Sequence, residues 1–326
     1  MDEASMGKAS RTKVEATRRE KIAAQRAAER RAEQRRRIFM ASGAVVVVLA
    51  IVLTFVIIKL NNKPAAPSAS ASASASPQGL SNGPTGSALA PVVAKVTSVP
   101  ASALDTVGKG GFTGKVQTLT GNPKPLTASG KPELLYMGAE FCPYCGAMRW
   151  AMIVALSRFG TFTGLATVHS AVSNGAGGQE PDPDTPTWTF LHASYSSPYL
   201  NFTSVEETTN IPDSSNGAYT PLQTPTSAEQ AIINKYDVPP YIDQAGSIPF
   251  LDFGNKYVSI GTPYDPGVLD GLSWSTIATD LSNPSSPVAQ AVDGTANYIT
   301  AAICKMTGNQ PASACTSTVQ SLESQI

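Results

Sequence analysis

The sequence predicts an α/β domain preceded by one transmembrane helix, and three stretches carry that expectation. An apolar run, Leu134-Leu135-Tyr136-Met137, leads into Cys142-Pro143-Tyr144-Cys145 and then into residues whose apolar members recur at helical spacing. The order is strand, dithiol, helix. Further on, Ile248-Pro249 heads a second apolar strand, and Gly254-Asn255-Lys256 turns the chain into Tyr257 to Ile260 as a hairpin partner. Near the start, Ile38 to Ile58 holds no charged residue, a length that at roughly 1.5 Å per residue matches a hydrocarbon core of about 30 Å.

Charge divides the chain. Met1 to Arg37 holds twelve Lys and Arg against six Asp and Glu, whereas Pro64 to the end holds ten against eighteen. The neutral total therefore hides a basic head and an acidic body. Residues 1–37 are expected as a basic cytoplasmic tail, 38–60 as the transmembrane helix, 61–91 as an Ala/Ser/Pro-rich linker and 92–326 as the extracytoplasmic domain. Arg35-Arg36-Arg37 against only Lys59 and Lys63 on the far side of the span puts the N-terminus in the cytoplasm. A cleavable signal peptide is the competing reading, but the tail is longer than an n-region and the apolar run longer than an h-region. A charge run alone specifies no partner, so the tail is read as solvated and topology-setting rather than as a nucleic-acid-binding helix. The linker composition cannot bury enough apolar surface to fold.

Within the body, Ser98 to Gly121 reads as a short helix or loop followed by extended chain. Gly146 to Phe159 reads as a helix with Met148, Met152, Ala155, Leu156 and Phe159 on one face and Gly160 as its stop. Gly164 to Val172 is expected as a second strand, the parallel neighbour of the central one. Strands over Thr187 to Tyr195 and Tyr199 to Glu206 follow, then a helix capped at Thr226 that buries Ile232 and Ile233. Ser273 to Leu281 and Pro287 to Met306 read as helices, the last ending near Gly308.

The chemistry centres on sulfur. Cys142 falls in the first turn of its helix, where unpaired N–H groups and the helix dipole favour a thiolate. Cys145, one turn later on the same face, can close a disulfide with it. Of the four cysteines, this adjacency pairs Cys142 with Cys145 and leaves Cys304 with Cys315 as a structural staple, which suits an oxidising compartment. Cys142 is expected to be the exposed nucleophile and Cys145 the buried resolving thiol. Glu140, if near, would raise the Cys142 pKa. Three alternatives stand beside this: an inert local disulfide, a zinc site shared with Cys304 and Cys315, and a second redox pair at Cys304 and Cys315. Ten residues separate the last two cysteines, a poor match to the close-spaced pairs of zinc sites, so no metal is expected. His169 and His192 are read as structural. Glu206-Glu207 and Asp182/Asp184 are read as solvated loop residues.

With Cys142-Pro143-Tyr144-Cys145 after a strand and Ile248-Pro249 before a hairpin, the body resembles the thioredoxin superfamily, in which a cis proline before the penultimate central strand lies against the dithiol. Tyr136-Met137-Gly138-Ala139-Glu140-Phe141 before the dithiol, Arg149-Trp150 after it and Ser247 to Asn255 are similar to a family of membrane-anchored, extracytoplasmic thioredoxin-like proteins catalogued as a domain of unknown function. The resemblance runs from about Val92 to the C-terminus. It implies a thioredoxin-like domain, a central mixed sheet flanked by helices, from which this sequence departs by a long insertion between the strand at Gly164 and the helix at Thr226. It also implies disulfide exchange as the reaction class, without delivering a substrate; joined to the topology above, the expectation is a single-pass cell-membrane protein acting on exported proteins with an unknown redox partner, without cofactor or nucleic acid. Cys142 and Cys145 would react, and Pro143, Tyr144, Ile248 and Pro249 would meet the substrate. The alternative is a non-catalytic binding module of the cell envelope whose Cys142–Cys145 bridge is a structural clip. One departure is that no Lys or buried Asp offers itself as a base near Cys145.

Overall fold

The structure is a computed structural model that describes residues 79–173, 182–213, 217–261 and 263–326, all within one unit, Ser74–Ile326. The basic tail, the expected span and the first part of the linker lie outside the described residues. Among those described, no single helix is long and apolar enough to cross a membrane.

Two short helices, α1 (Leu89–Val96) and α2 (Ala101–Val107), precede strands β1 (Gln117–Thr118) and β2 (Thr127–Ala128). Then come β3 (Lys131–Gly138) and α3 (Pro143–Leu156), the strand and helix that flank the dithiol. Strands β4 (Thr161–Thr163), β5 (Ala166–His169), β6 (Pro186–Thr189) and β7 (Ser194–Ser196) lead to β8 (Asn201–Glu206), β9 (Thr208–Pro212), β10 (Tyr219–Pro221) and α4 (Ser227–Tyr236). The hairpin β11 (Phe250–Phe253) and β12 (Tyr257–Ile260) follows, and the chain ends in α5 (Trp274–Asp280), α6 (Pro287–Thr307) and α7 (Ser317–Glu323).

The result is a mixed α/β architecture around a central mixed sheet. Its order is β1-β12-β11-β3-β2, with β8 also pairing β3. β3 pairs antiparallel with β11, Leu135 opposite Asp252, and parallel with β8, Leu135 opposite Thr203. Because side chains alternate along a strand, Leu134 and Tyr136 enter one apolar cluster with α3 and α6, while Leu135 and Met137 enter a second with Ile233 and Tyr236 of α4. Helices cover both faces, which is why the strand is apolar without interruption from Leu134 to Met137.

The helix after the dithiol differs from expectation. Every residue from Cys145 to Leu156 is buried, so α3 has no solvated face. It is enclosed by the sheet, by β6 and by α6, and a helix covered on all sides needs apolar residues all round. Arg158 ties its C-terminal end to α6 through Asn297 Oδ1 (3.2 Å) and to the Ala314 carbonyl (2.7 Å). The helix itself stops at Leu156, three residues short of the expected end at Phe159.

The expected parallel neighbour is also corrected. Within Gly164 to Val172 only β5 is strand, and it pairs antiparallel with β6. The parallel partner of β3 is β8, which matches six residues of it and sends Phe202 and Val205 towards the two clusters. The β5–β6 ribbon is held on α3, where the Thr187 hydroxyl donates to the Gly146 carbonyl (2.8 Å).

The linker ends earlier than position 91. The Gly79 N–H donates to Glu140 Oε2 (2.9 Å), the Leu80 N–H donates to Asn210 Oδ1 (2.7 Å), and Asn210 Nδ2 donates back to the Leu80 carbonyl (2.9 Å). Leu89, Val92, Val93 and Val96 then recur at helical spacing and pack α1 onto the main cluster. The ordered domain therefore takes in residues from Gly79, not only those from Val92.

Elements with explicit end signals match the sequence reading. Thr226 and Glu229 form a reciprocal capping box, and Gly308, with φ of 67°, closes α6 in the left-handed conformation. A disulfide joins Cys304 in the last turn of α6 to Cys315 just before α7.

One buried group on α6 makes stability pH-dependent. Asp293 is fully buried with both carboxylate oxygens unpartnered among the described residues. Burial raises its pKa to about 8, with the Arg158 charge acting in the opposite direction. A folded pKa above the unfolded value of about 3.9 means that the folded state holds the extra proton, so stability falls as pH rises from about 4 to about 8. Asp293→Asn is expected to raise the melting temperature at pH 7 by several degrees, a gain that shrinks towards pH 4 in calorimetry.

Candidate functional site

The site is built at the junction between β3 and α3. Cys142 is the N-cap of α3, with extended backbone (φ −78°, ψ 119°), and Pro143 occupies the first helical position, where its missing N–H costs nothing. The Cys142 Sγ accepts the Cys145 backbone N–H at 3.3 Å, and the Cys142 carbonyl accepts from Gly146 at 3.0 Å. Sulfur thus fills the place that a Ser or Asp oxygen takes at other helix starts. Both cysteines carry free thiols.

Cys142 is only 4% exposed and Cys145 is fully buried. The expectation of an exposed Cys142 sulfur is therefore corrected, and the cause is local: capping turns the side chain back over the first turn of the helix. Phe141 and Tyr144 on either side are partly exposed, and the Phe141 ring stacks on Tyr219 at 4.2 Å. Of the two residues, Cys142 is the slightly more exposed.

Electrostatics separate the two thiols in opposite directions. Burial alone would raise the Cys142 pKa, but hydrogen bonds from the Cys145 side chain and backbone, together with the Arg149 charge, hold it below the usual cysteine range. Burial pushes the Cys145 thiol well up, and Cys142 adds to the shift. Glu140 does not act on Cys142 as expected, because its carboxylate turns away to the Gly79 N–H. Its own pKa is raised, chiefly by burial. Tyr144 is pushed up as well, first by burial and then by the negative charge of Asp182.

Behind the dithiol lies a charged pair that the sequence reading did not assemble. Arg149 Nε and Nη2 donate to Glu206 Oε1 and Oε2 at 2.9 and 2.6 Å, with both side chains inaccessible to solvent. The Phe190 N–H adds a bond to Glu206 Oε1 at 3.1 Å. Glu206 is therefore not a solvated loop residue; it ends β8 and faces α3 because the buried guanidinium there requires a carboxylate. A lone Arg inside the run Met148 to Leu156 was the available signal for such a pair. The guanidinium carbon stands 5.9 Å from the centre of the Tyr136 ring.

The Ile248–Pro249 bond is cis. Pro249 immediately precedes Phe250, which lies opposite Met137, so the register brings Pro249 alongside Gly138 at the end of the strand that feeds the dithiol. Pro249 is buried and its carbonyl accepts from Gly261 at 2.9 Å. Ile248, in contrast, lines a cavity of about 380 Å³ with Met137, Glu207 and Ile233, on the face of the sheet away from Tyr136.

The remaining candidates fall elsewhere. Cys304 and Cys315 are bonded to each other at the C-terminal end of α6. His169 is buried with Nδ1 at 2.7 Å from the Ser170 carbonyl and 3.1 Å from Asp184, while His192 is exposed. Among the described residues no His, Cys, Asp or Glu group is arranged to hold a metal. A larger cavity, about 930 Å³, opens between α1 and the start of α5, and neither cysteine lines it. The reactive groups identify the dithiol, not that cavity, as the candidate site.

A family model described as a domain of unknown function (DUF929) matches residues 117–305, a stretch that contains β3, the dithiol, β8 and the hairpin. No curated protein and no solved structure matches.

The Arg149–Glu206 pair makes a direct prediction. Removing one partner leaves a buried charge alone, so Arg149→Met should cost roughly 3–5 kcal/mol in urea denaturation. Adding Glu206→Leu to that variant should recover most of the loss, because the orphaned carboxylate is gone.

Proposed function

The chain belongs to the family described as a domain of unknown function (DUF929), and from its own residues we propose that it is a membrane-anchored thiol–disulfide oxidoreductase with a thioredoxin-like domain, acting on exported proteins. The observation that carries this reading is the pair of free thiols one helical turn apart, with Cys142 capping α3 and its thiol favoured towards ionisation over that of Cys145. The surrounding order supports a thioredoxin-like arrangement: central strand, dithiol helix, parallel strand, cis proline, hairpin and C-terminal helix.

In the proposed reaction the Cys142 thiolate attacks one sulfur of a substrate disulfide, forms a bond to it and releases the other as a thiolate. Cys145, once ionised, attacks the Cys142 sulfur, closes the intramolecular disulfide and releases the second substrate thiolate. Two electrons pass from the dithiol to the substrate. Read backwards, the same steps oxidise a substrate dithiol. Phe141 and Tyr144, both partly exposed, flank the route to Cys142, Pro143 is buried beneath it, and Pro249 borders the strand end beside it.

The proposed topology has the basic tail of residues 1–37 in the cytoplasm, one span at 38–60 and the domain outside. The charge asymmetry about Ile38 to Ile58 supports that orientation, and the Cys304–Cys315 bridge suits an oxidising compartment. The burial of Cys142 favours a second reading, a binding module of the envelope in which the pair serves as a clip.

Variants separate the two. Cys142→Ser is expected to abolish reduction of insulin disulfides, while Cys145→Ser should accumulate mixed disulfides that dithiothreitol releases. A Cys142→Ser protein that still turns over insulin would refute the assignment.

A further inference from the structure

Tyr136 carries a hydroxyl that ordinary packing does not explain. It lies in the central strand with no solvent exposure, and its oxygen has no hydrogen-bond partner among the described residues. A buried hydroxyl left unpaired is destabilising, and a phenylalanine would avoid that cost at the same position. The ring is well held, edge-on to Phe190 at 5.5 Å and beneath the Arg149 guanidinium.

The direction of the hydroxyl is set by a glycine. Tyr136 and Gly138 point to the same face of β3, and a Cβ on Gly138 would collide with the Tyr136 oxygen while standing 3.1 Å from the Cys145 sulfur. The absent side chain thus leaves one small space shared by the phenol oxygen and the resolving sulfur. Arg149 contributes a second donor without an acceptor, since its Nη1 is also buried and unpartnered among the described residues.

We infer that the Tyr136 hydroxyl is the hydrogen-bond donor that stabilises the Cys145 thiolate during resolution of the mixed disulfide. This inference rests on the oxidoreductase reading. As long as Cys145 is a thiol or is oxidised, the phenol has only a weak acceptor before it. When Cys145 loses its proton, the sulfur becomes an anion inside the domain, and a charge-assisted bond from the phenol compensates for part of the missing solvation. Arg149 adds its charge from α3 in favour of ionisation, against burial and the neighbouring Cys142; the two nearby carboxylates are engaged elsewhere, Glu206 by Arg149 and Glu140 by the Gly79 N–H. Cys142 lies on the same helical turn and is held in the mixed disulfide at that stage. Burial keeps the Tyr136 hydroxyl protonated well above the ordinary tyrosine range, so it remains a donor throughout the working pH range. The phenol keeps its proton in this step; the proton lost by Cys145 is balanced by the one that the departing second substrate thiolate takes up through solvent.

The test is Tyr136→Phe, which keeps the ring and its contacts. In a Cys142→Ser background, the thiolate absorbance of Cys145 is titrated against pH with and without the change. The expected result is a titration displaced to higher pH by about one unit, a tenfold loss of thiolate at a given pH. In the otherwise intact protein, release of the second substrate thiolate should slow about tenfold at neutral pH while formation of the mixed disulfide is unchanged. Thermal stability should hold or rise, because an unpaired buried hydroxyl has been removed. An unchanged Cys145 titration would overturn the inference. Loss of the oxidoreductase reading would appear separately, as absence of turnover in the parent protein, and the titration would still decide whether Tyr136 supports the thiolate.

Discussion

The hydrogen bond from the Cys145 backbone N–H to the Cys142 sulfur, 3.3 Å long, joins the making of the helix to the making of the site. A helix start leaves N–H groups without partners, and here a sulfur accepts one of them. The same contact stabilises negative charge on that sulfur, so the cap and the proposed nucleophile are one atom. It also accounts for the low exposure of Cys142, since a side chain turned back to cap its helix cannot point outward. Access and activation are therefore in tension at this position, and substrate would approach past Phe141 and Tyr144.

Buried charge supports the junction from behind. Arg149 sits one turn after Cys145 on α3, and its bidentate pairing with Glu206 locks the helix to the parallel strand β8. Ion pairs of this kind are poor sources of net stability compared with apolar packing, because both charges lose their water. Placing one beside two cysteines has a different consequence: the Arg149 charge favours ionisation of both thiols, which the proposed reaction requires. Gly138 and Tyr136 complete the arrangement on the strand side. Sheet, helix and charge pair thus converge on a few residues at the end of β3, while the Cys304–Cys315 bridge and the α6–α7 packing secure the far side of the domain.

Local pattern made much of this legible. The apolar strand, the dithiol at a helix start, the hairpin after Ile248-Pro249, the capping box at Thr226 and the Gly308 stop are all signals carried by neighbouring residues. Pairings over long separations were not. β8 reads Asn-Phe-Thr-Ser-Val-Glu, too polar to announce itself as the partner of an apolar central strand, and its role depends on matching β3 in length and register. Glu206 looked like one of two loop carboxylates, because nothing near it in the chain reveals an arginine 57 residues earlier. Tyr136 sits in an apolar run, where an aromatic ring is indistinguishable from core filling. The packing of residues from Gly79 was hidden by composition, since the bonds that hold Gly79 and Leu80 are made by Glu140 and Asn210 from elsewhere in the domain.

A redox titration of the Cys142–Cys145 pair in glutathione buffers bears most directly on whether this dithiol exchanges disulfides or only clips the fold. A potential above about −300 mV, in the span where thiol–disulfide catalysts operate, is the predicted result. A value below about −300 mV, typical of structural bridges that glutathione does not reduce, would contradict the account.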